Sequence, residues 1–285
     1  MFVIIGAVVV LGSVLVGFIL SGGHIMALIH PNEVLIIGGA AVGSMIIANP
    51  LNVIKGIVSQ VTAVFGSGYG KKDYQDILVM MFEIFNIARK DGLIGLEAHV
   101  EHPEDSDIFK RYPKFLKNHH AVHFFADTMR VIISGAVQPT DLEDLMDNDI
   151  EALLEEELHP SHALNSVSDS LPGLGIVAAV LGIVITMGAI DGPPAEIGHK
   201  VGAALVGTFL GILACYGFVG PLAANMKFRV NEDIQYIGCM KHALLSFNKG
   251  VAGVIAVEFA RRTLFIDVRP GFTELEEACN ETKRK

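Results

Sequence analysis

The chain has 285 residues, with 31 Asp+Glu against 21 Lys+Arg, a formal net charge of -10, 51% hydrophobic and only 18% charged residues. With a mean hydropathy of +0.49, this composition excludes a disordered chain, a disulfide-rich secreted domain and a basic nucleic-acid binder. Cys215, Cys239 and Cys279 show no CxxC spacing and predict a reducing compartment, with neither a disulfide framework nor a metal centre.

Phe2–Leu20 is an uncharged run long enough to cross a bilayer. With only Met1 ahead of it, the basic leader of a signal peptide is missing, so an uncleaved span is expected. Val34–Ala48, rich in small residues (Gly38, Gly39, Gly43, Ser44), predicts a second span with room to continue past Pro50 to Ile54. Tyr74–Lys90 has apolar residues at helical spacing and ends at Asp91-Gly92. Phe115–Ser134 and Leu142–Leu158 predict two further helices, separated by Gly135–Thr140 with Pro139. Pro172–Ile190 and Val201–Met226 are the third and fourth uncharged runs, and Asp233–Asn248 predicts a tail helix. No alternating strand pattern, GxGxxG or Walker loop is present. The expected fold is all-α: a polytopic membrane protein with four transmembrane helices and a helical cytoplasmic domain. Its segments are 1–50 (spans one and two), 51–171 (cytoplasmic), 172–226 (spans three and four) and 227–285 (cytoplasmic tail).

Basic residues set the expected orientation. Ten lie between Ala48 and Leu171 and ten follow Met226, whereas the loop Ser21–Glu33 has none and the loop between spans three and four has only Lys200. Both large hydrophilic parts, and both termini, are therefore expected on the cytoplasmic side of the membrane.

The four predicted runs contain no acidic, basic or histidine side chain. If the chain conducts ions, another subunit must supply the carboxylate. Pro172 reads as a first-turn proline opening span three, and Pro221 as a kink. Thr208 reads first as bonding back to its own helix, and second as lining a polar channel wall. Gly207-x-x-x-Gly211 and Gly39-x-x-x-Gly43 are close-packing patterns. Arg89, Lys90, Asp91 and Glu97 read first as favourable helix-end charges on a solvated face, and second as a patch that meets a partner. Asp141–Glu157 holds nine carboxylates and no Lys or Arg, a solvated surface that can also steer partners. His119, His120 and His123 have helical spacing but neither a nearby cysteine nor the Glu of HExxH, so they read as ordinary histidines. No nucleophile elbow is present, and neither an enzyme nor a cofactor is expected.

LPGLGIVAAVLG (Leu171–Gly182) and VGTFLGILACYGFVGPLAANM (Val206–Met226) are followed in the tail by AVEFARRTLF (Ala256–Phe265) and RPGFTELEE (Arg269–Glu277). With the N-terminal FVIIGAVVVLGSVLVGFILSGG and the later HPEDSDIFKRYP, they stand in the order of the MotA family of flagellar motor stator subunits, which the chain resembles over essentially its whole length. The resemblance implies that Arg89 and Glu97 are the charged pair that engages the rotor protein FliG, with Asp149 an acidic position of the same region. It implies that Pro172 and Pro221 couple ion flow to movement, and that Thr208 lies near the ion path. Stators of this family form a pentamer around a dimer of MotB, whose membrane aspartate carries the ion, in the bacterial inner membrane. Ala179 stands where sodium-driven relatives tend to have threonine. Without that oxygen ligand for a hard cation, protons are the expected ion and sodium the alternative. Gly253, Val254 and Ile255 depart from the family, which often has prolines there. The ExbB and TolQ proton channels, which energise outer-membrane processes, are the rival within the superfamily, but they usually have three spans and an outward N-terminus. A secondary transporter and a flux-free scaffold are weaker alternatives.

Overall fold

The computed structural model describes residues 2–135, 137–188 and 190–282, and every regular element among them is helical. Ala136, in the predicted break, and Ala189, in the third predicted span, lie outside the described residues.

Helix α1 (Phe2–Leu20) follows the first apolar run. After a 3-10 turn at Ile25–Leu28, α2 (Pro31–Ala48) starts three residues before the predicted span. Pro31 explains the early start, because at a first helical position its missing N–H costs nothing. The span does not continue through Pro50. Asn49 is extended, as a residue before proline must be, and the chain restarts as α3 (Leu51–Val64).

Helix α4 (Lys71–Asp91) closes on Gly92, whose φ of +76° suits glycine alone. A 3-10 turn at Leu93–Leu96 leads into α5 (Glu97–Glu101), and one at Phe109–Arg111 into α6 (Pro113–Lys117). The predicted helix 115–134 is interrupted at Asn118, whose side chain accepts the Ala121 N–H at 3.0 Å and caps α7 (His119–Ser134).

The predicted helix 142–158 and the third span are one helix, α8 (Pro139–Met187), which runs through Pro160 and Pro172. The fourth span and the tail helix are likewise joined: α9 (Pro194–Ala214), a π turn at Cys215–Val219, and α10 (Gly220–Asn248). Helices α11 (Gly253–Arg262) and α12 (Phe272–Thr282) complete the chain. Phe2–Leu20, Ile25–Ala48, Pro139–Met187 and Pro194–Asn248 each hold a stretch long and apolar enough to cross a membrane.

The described chain divides into two compact units, one drawn from Met1–Ser67 and Glu157–Arg229, the other from Gly68–Glu156 and Val230–Lys285. These boundaries follow packing, whereas the segments 1–50, 51–171, 172–226 and 227–285 follow hydropathy alone. The first unit packs Ile37, Ala41, Leu171, Ala178 and Cys215 together, and separately Ile57, Val64, Ala163, Leu164, Ala223 and Met226. Gln60 on α3 donates to the Glu157 carbonyl at 2.8 Å, and a Cβ on Gly56 would lie 2.7 Å from the Pro160 ring. Helix α1 buries no residue within the chain, and Ile47 on α2 is 89% exposed. Those apolar faces suit lipid or other helices.

The second unit has the larger core, built on α4, whose Tyr74, Ile77, Leu78, Phe82 and Phe85 are buried. Phe125 meets Phe109 and Phe115 edge-on at 5.4 and 5.9 Å. Tyr69 and Tyr236 stack at 4.4 Å. Helix α11 begins on Gly253, and a Cβ there would meet the Phe85 Cβ at 3.2 Å.

Glu258 on α11 accepts from Arg261 at 2.7 and 2.8 Å and from Arg262 at 2.7 Å. The Arg261 guanidinium, then Arg262, hold its carboxyl down to about 2. A carboxyl lowered on folding stabilises the fold fully above its ordinary value of 4.5, and that contribution is lost as pH falls towards 2. With a side chain 16% exposed, the contribution is about 2 kcal/mol after screening. Thermal unfolding in detergent between pH 6 and 2, in steps of about one unit, is expected to show a loss that Glu258→Gln flattens. Equal pH slopes in the two proteins refute it.

Candidate functional site

The membrane-competent unit is organised by a glycine-lined crossing of α8 and α9. A Cβ built on Gly211 would lie 2.5 Å from the Leu171 carbonyl oxygen and 2.9 Å from the Gly175 Cα. One on Gly175 would lie 2.9 Å from the Gly207 carbonyl oxygen and 3.3 Å from the Thr208 Cα, and one on Gly207 would lie 3.4 Å from the Ala179 N. Backbone therefore touches backbone, the approach that small residues permit in lipid. Ala179 and Thr208, half-buried, sit on the two sides of this crossing.

Thr208 does not bond back to its own helix. Its hydroxyl has no hydrogen-bond partner among the described residues, whereas Thr186 donates to the Gly182 carbonyl at 2.7 Å. An unpaired hydroxyl on a membrane helix is open to water or another chain.

Pro172 does not open a helix either. It lies inside α8, where it withdraws the N–H that would bond the Ser168 carbonyl one turn earlier. Ser168, 1% exposed, turns its hydroxyl to the other helix, donating to the Cys215 carbonyl at 3.2 Å with the Cys215 Sγ at 3.4 Å. Cys215 begins the π turn, and its carbonyl also accepts the Gly220 N–H, five residues on. Pro221 follows at once. The two prolines therefore flank opposite sides of one contact, Ser168 to Cys215. Sequence reasoning missed this contact because neither residue is distinctive alone.

It also missed Glu33. The loop assignment is corrected: Glu33 lies in the first turn of α2, inside the span-length helical stretch Ile25–Ala48, and is 7% exposed. The helix that holds the second apolar run thus does carry an acid. Pro31, two residues ahead, was the available signal for an earlier helix start. Near the N-terminal ends of α2 and α9, the His30 and His199 rings meet edge-on at 6.2 Å and Glu196 pairs with Lys200 at 2.9 Å.

In the second unit, Arg89 and Lys90 end α4 and Glu97 begins α5, with Ile94, 79% exposed, between them. Arg89, Lys90, Asp91 and Glu97 are exposed, and their side chains make no ion pair or hydrogen bond among the described residues. Four residues along from Glu97, Glu101 pairs with Arg130 at 2.9 Å, and Arg130 pairs with Asp127 at 2.6 Å. Asp149, exposed on the charged half of α8, has its carboxyl raised by partial burial and by Asp127. Behind this edge, Arg111 and Tyr112 fix Glu83. Among the described residues no three metal-ligating side chains converge, at His119 and His123 or elsewhere.

Residues 4–92 match the motility protein A N-terminal family model, and residues 116–238 match the MotA/TolQ/ExbB proton channel family. The Motility protein A of Salmonella typhimurium is 42% identical over 278 residues, spanning 97% of this chain and 94% of that one. The chain belongs to the MotA family. Two solved structures resemble it: the flagellar MotAB stator complex from Bacillus subtilis, with a TM-score of 0.73 at 25% identity, covering 96% of this chain and 98% of that one, and the C. jejuni MotAB, with a TM-score of 0.76 at 21% identity, covering 93% and 96%. This MotA chain is a flagellar stator subunit and not an enzyme.

Proposed function

We propose that this MotA chain, as a pentamer around a dimer of a MotB-like partner, conducts protons across the bacterial inner membrane and turns the flagellar rotor. The four apolar stretches sit in the membrane, and the large hydrophilic parts and both termini lie on its cytoplasmic side, where Arg89 and Glu97 meet FliG. Protonation of the partner's aspartate alters its contacts with the helices that carry Ala179 and Thr208, and the assembly steps. The transmembrane potential supplies about 2.3 kcal/mol per charge for each 100 mV. The observation that carries the ion path is Thr208, half-buried beside the α8–α9 crossing with an unpaired hydroxyl. Ala179 opposite supplies no oxygen ligand, which favours protons over sodium.

Swimming of a stator-less strain carrying this chain and its cognate partner tests the reading. Motility that ignores sodium and collapses with a protonophore is expected. Motility that tracks sodium overturns the choice of ion. No motility from an assembled, inserted complex overturns the stator role.

The unpaired charges at Arg89 and Glu97 support rotor contact. Arg89→Glu and Glu97→Lys are each expected to cut swimming speed severely while shifting stability by no more than about 0.5 kcal/mol. Proton uptake by the complex should stay at the wild-type level. Normal swimming by both variants refutes the assignment, as does an equal loss of uptake.

A further inference from the structure

Among the described residues, Glu33 is the one buried acid of the first unit, and the family reading leaves it without a task. Its Oε2 is buried with no hydrogen-bond partner, and the Glu33 side chain makes no other hydrogen bond or ion pair among the described residues. That oxygen lies 3.0 Å from the position a Cβ on Gly207 would take, which is also 3.2 Å from the Ala178 Cβ and 3.4 Å from the Ala179 N. Gly207 stands about 20 Å of helix rise beyond Pro194, so the carboxylate meets α9 well past its N-terminal end. Three helices, α2, α8 and α9, thus meet at Gly207, the residue before Thr208, with the unpaired carboxylate beside it.

An ionised carboxylate buried without a partner is strongly unfavourable. A group that serves only packing would be replaced at lower cost by an apolar side chain of similar volume. No charged group relieves it from the neighbouring helices. The described membrane half of α8 beyond Pro172 has no titratable side chain, and those of α9 are Glu196, His199 and Lys200, with Lys200 engaged by Glu196. His30, one turn ahead of Glu33, faces His199.

We propose that Glu33 is a proton-carrying group of the conduction path supplied by this chain, acting in series with the carboxylate of the partner subunit. The inference rests on the stator reading above. A Glu33 carboxylate oxygen takes a proton from a hydronium ion, leaving water. The resulting acid then passes that proton to an acceptor water on the way to the partner's carboxylate, and the Glu33 carboxylate is restored. A side chain at Gly207 would press on the carboxylate and on Ala178.

The test measures proton uptake into cells carrying the full chain with its partner, as a function of external pH, for wild type, Glu33→Gln and Glu33→Asp. Glu33→Gln, similar in shape and uncharged, is expected to slow uptake about tenfold or more and to remove one titrating step from the pH profile. Glu33→Asp should recover part of the flux and keep that step, displaced in pH. An inserted Glu33→Gln complex with wild-type uptake and an unchanged profile overturns the proposal while leaving the stator reading intact. A wild-type complex that carries no protons overturns the proton reading on which the inference rests. If Glu33→Gln does not insert, infrared spectroscopy of the wild-type complex decides. A carboxyl band must titrate with pH and move in Glu33→Asp, and a spectrum identical in the two proteins overturns the proposal.

Discussion

Gly211→Ala is expected to abolish proton uptake and motility and to destabilise the membrane unit by about 3 kcal/mol or more. The added Cβ would lie 2.5 Å from the Leu171 carbonyl oxygen, 2.9 Å from the Gly175 Cα and 3.1 Å from the Gly175 N. All three obstacles are backbone, so no side-chain rotation relieves them, and α8 must move away from α9. That separation opens the contact on which Ala179, Thr208 and the Ser168–Cys215 bond depend. Gly202 on the same helix is the internal control, since a Cβ there meets nothing within 4 Å. Gly202→Ala should be close to neutral, or slightly stabilising through helix propensity. Thermal unfolding in detergent and proton uptake in cells check the pair. Equivalent behaviour of the two variants would show that the crossing is not as tight as described.

Pro221→Ala is expected to leave the chain folded and inserted yet lower proton uptake about tenfold or more, a barrier change of about 1.4 kcal/mol. Proline at 221 has no N–H for the Gly217 carbonyl, and its ring crowds that carbonyl. The chain answers with the π turn Cys215–Val219, in which the Gly220 N–H reaches the Cys215 carbonyl. Alanine restores the missing donor, so the extra residue can be absorbed into a regular α-helix. A one-residue change of register turns everything on one side by about 100°. The face carrying Thr208 and Gly211 then no longer stands in register with the helix beyond the turn, and Ser168 loses its acceptor. Stability should hold or rise, because a proline inside a helix normally costs about 3 kcal/mol. Wild-type uptake by Pro221→Ala would refute the link between the π turn and conduction, and a lowered unfolding temperature would refute the register argument.

Much of the architecture was legible from residue order. Phe2–Leu20 has the helix bounds its hydropathy predicts, and Asp91-Gly92 ends α4 where expected. Gly207 and Gly211 fall on a close crossing, as their spacing implied. Prolines were read less well. Pro172 looked like a first residue because apolar sequence begins there, yet α8 passes through it. Pro50, in contrast, ends one helix and starts another. The same residue type has different outcomes because a proline inside a helix survives only where neighbouring helices satisfy or shield the freed carbonyl.

The sequence by itself determined what depends on composition and local spacing: four apolar stretches, all-helical structure, the glycine pattern and the asymmetry of basic residues. It also carried the family, through motifs spread in order along the whole chain. Only the tertiary structure decided which polar groups are buried or left without partners. Glu33 read as a loop residue beside a span, and Thr208 as one bonded to its own helix. Arg89 and Glu97 read as ordinary surface charges. Burial and pairing are set by residues distant in sequence, Gly207 for Glu33 and Cys215 for Ser168. Hydropathy averages along the chain and carries no record of what another helix brings to the same place.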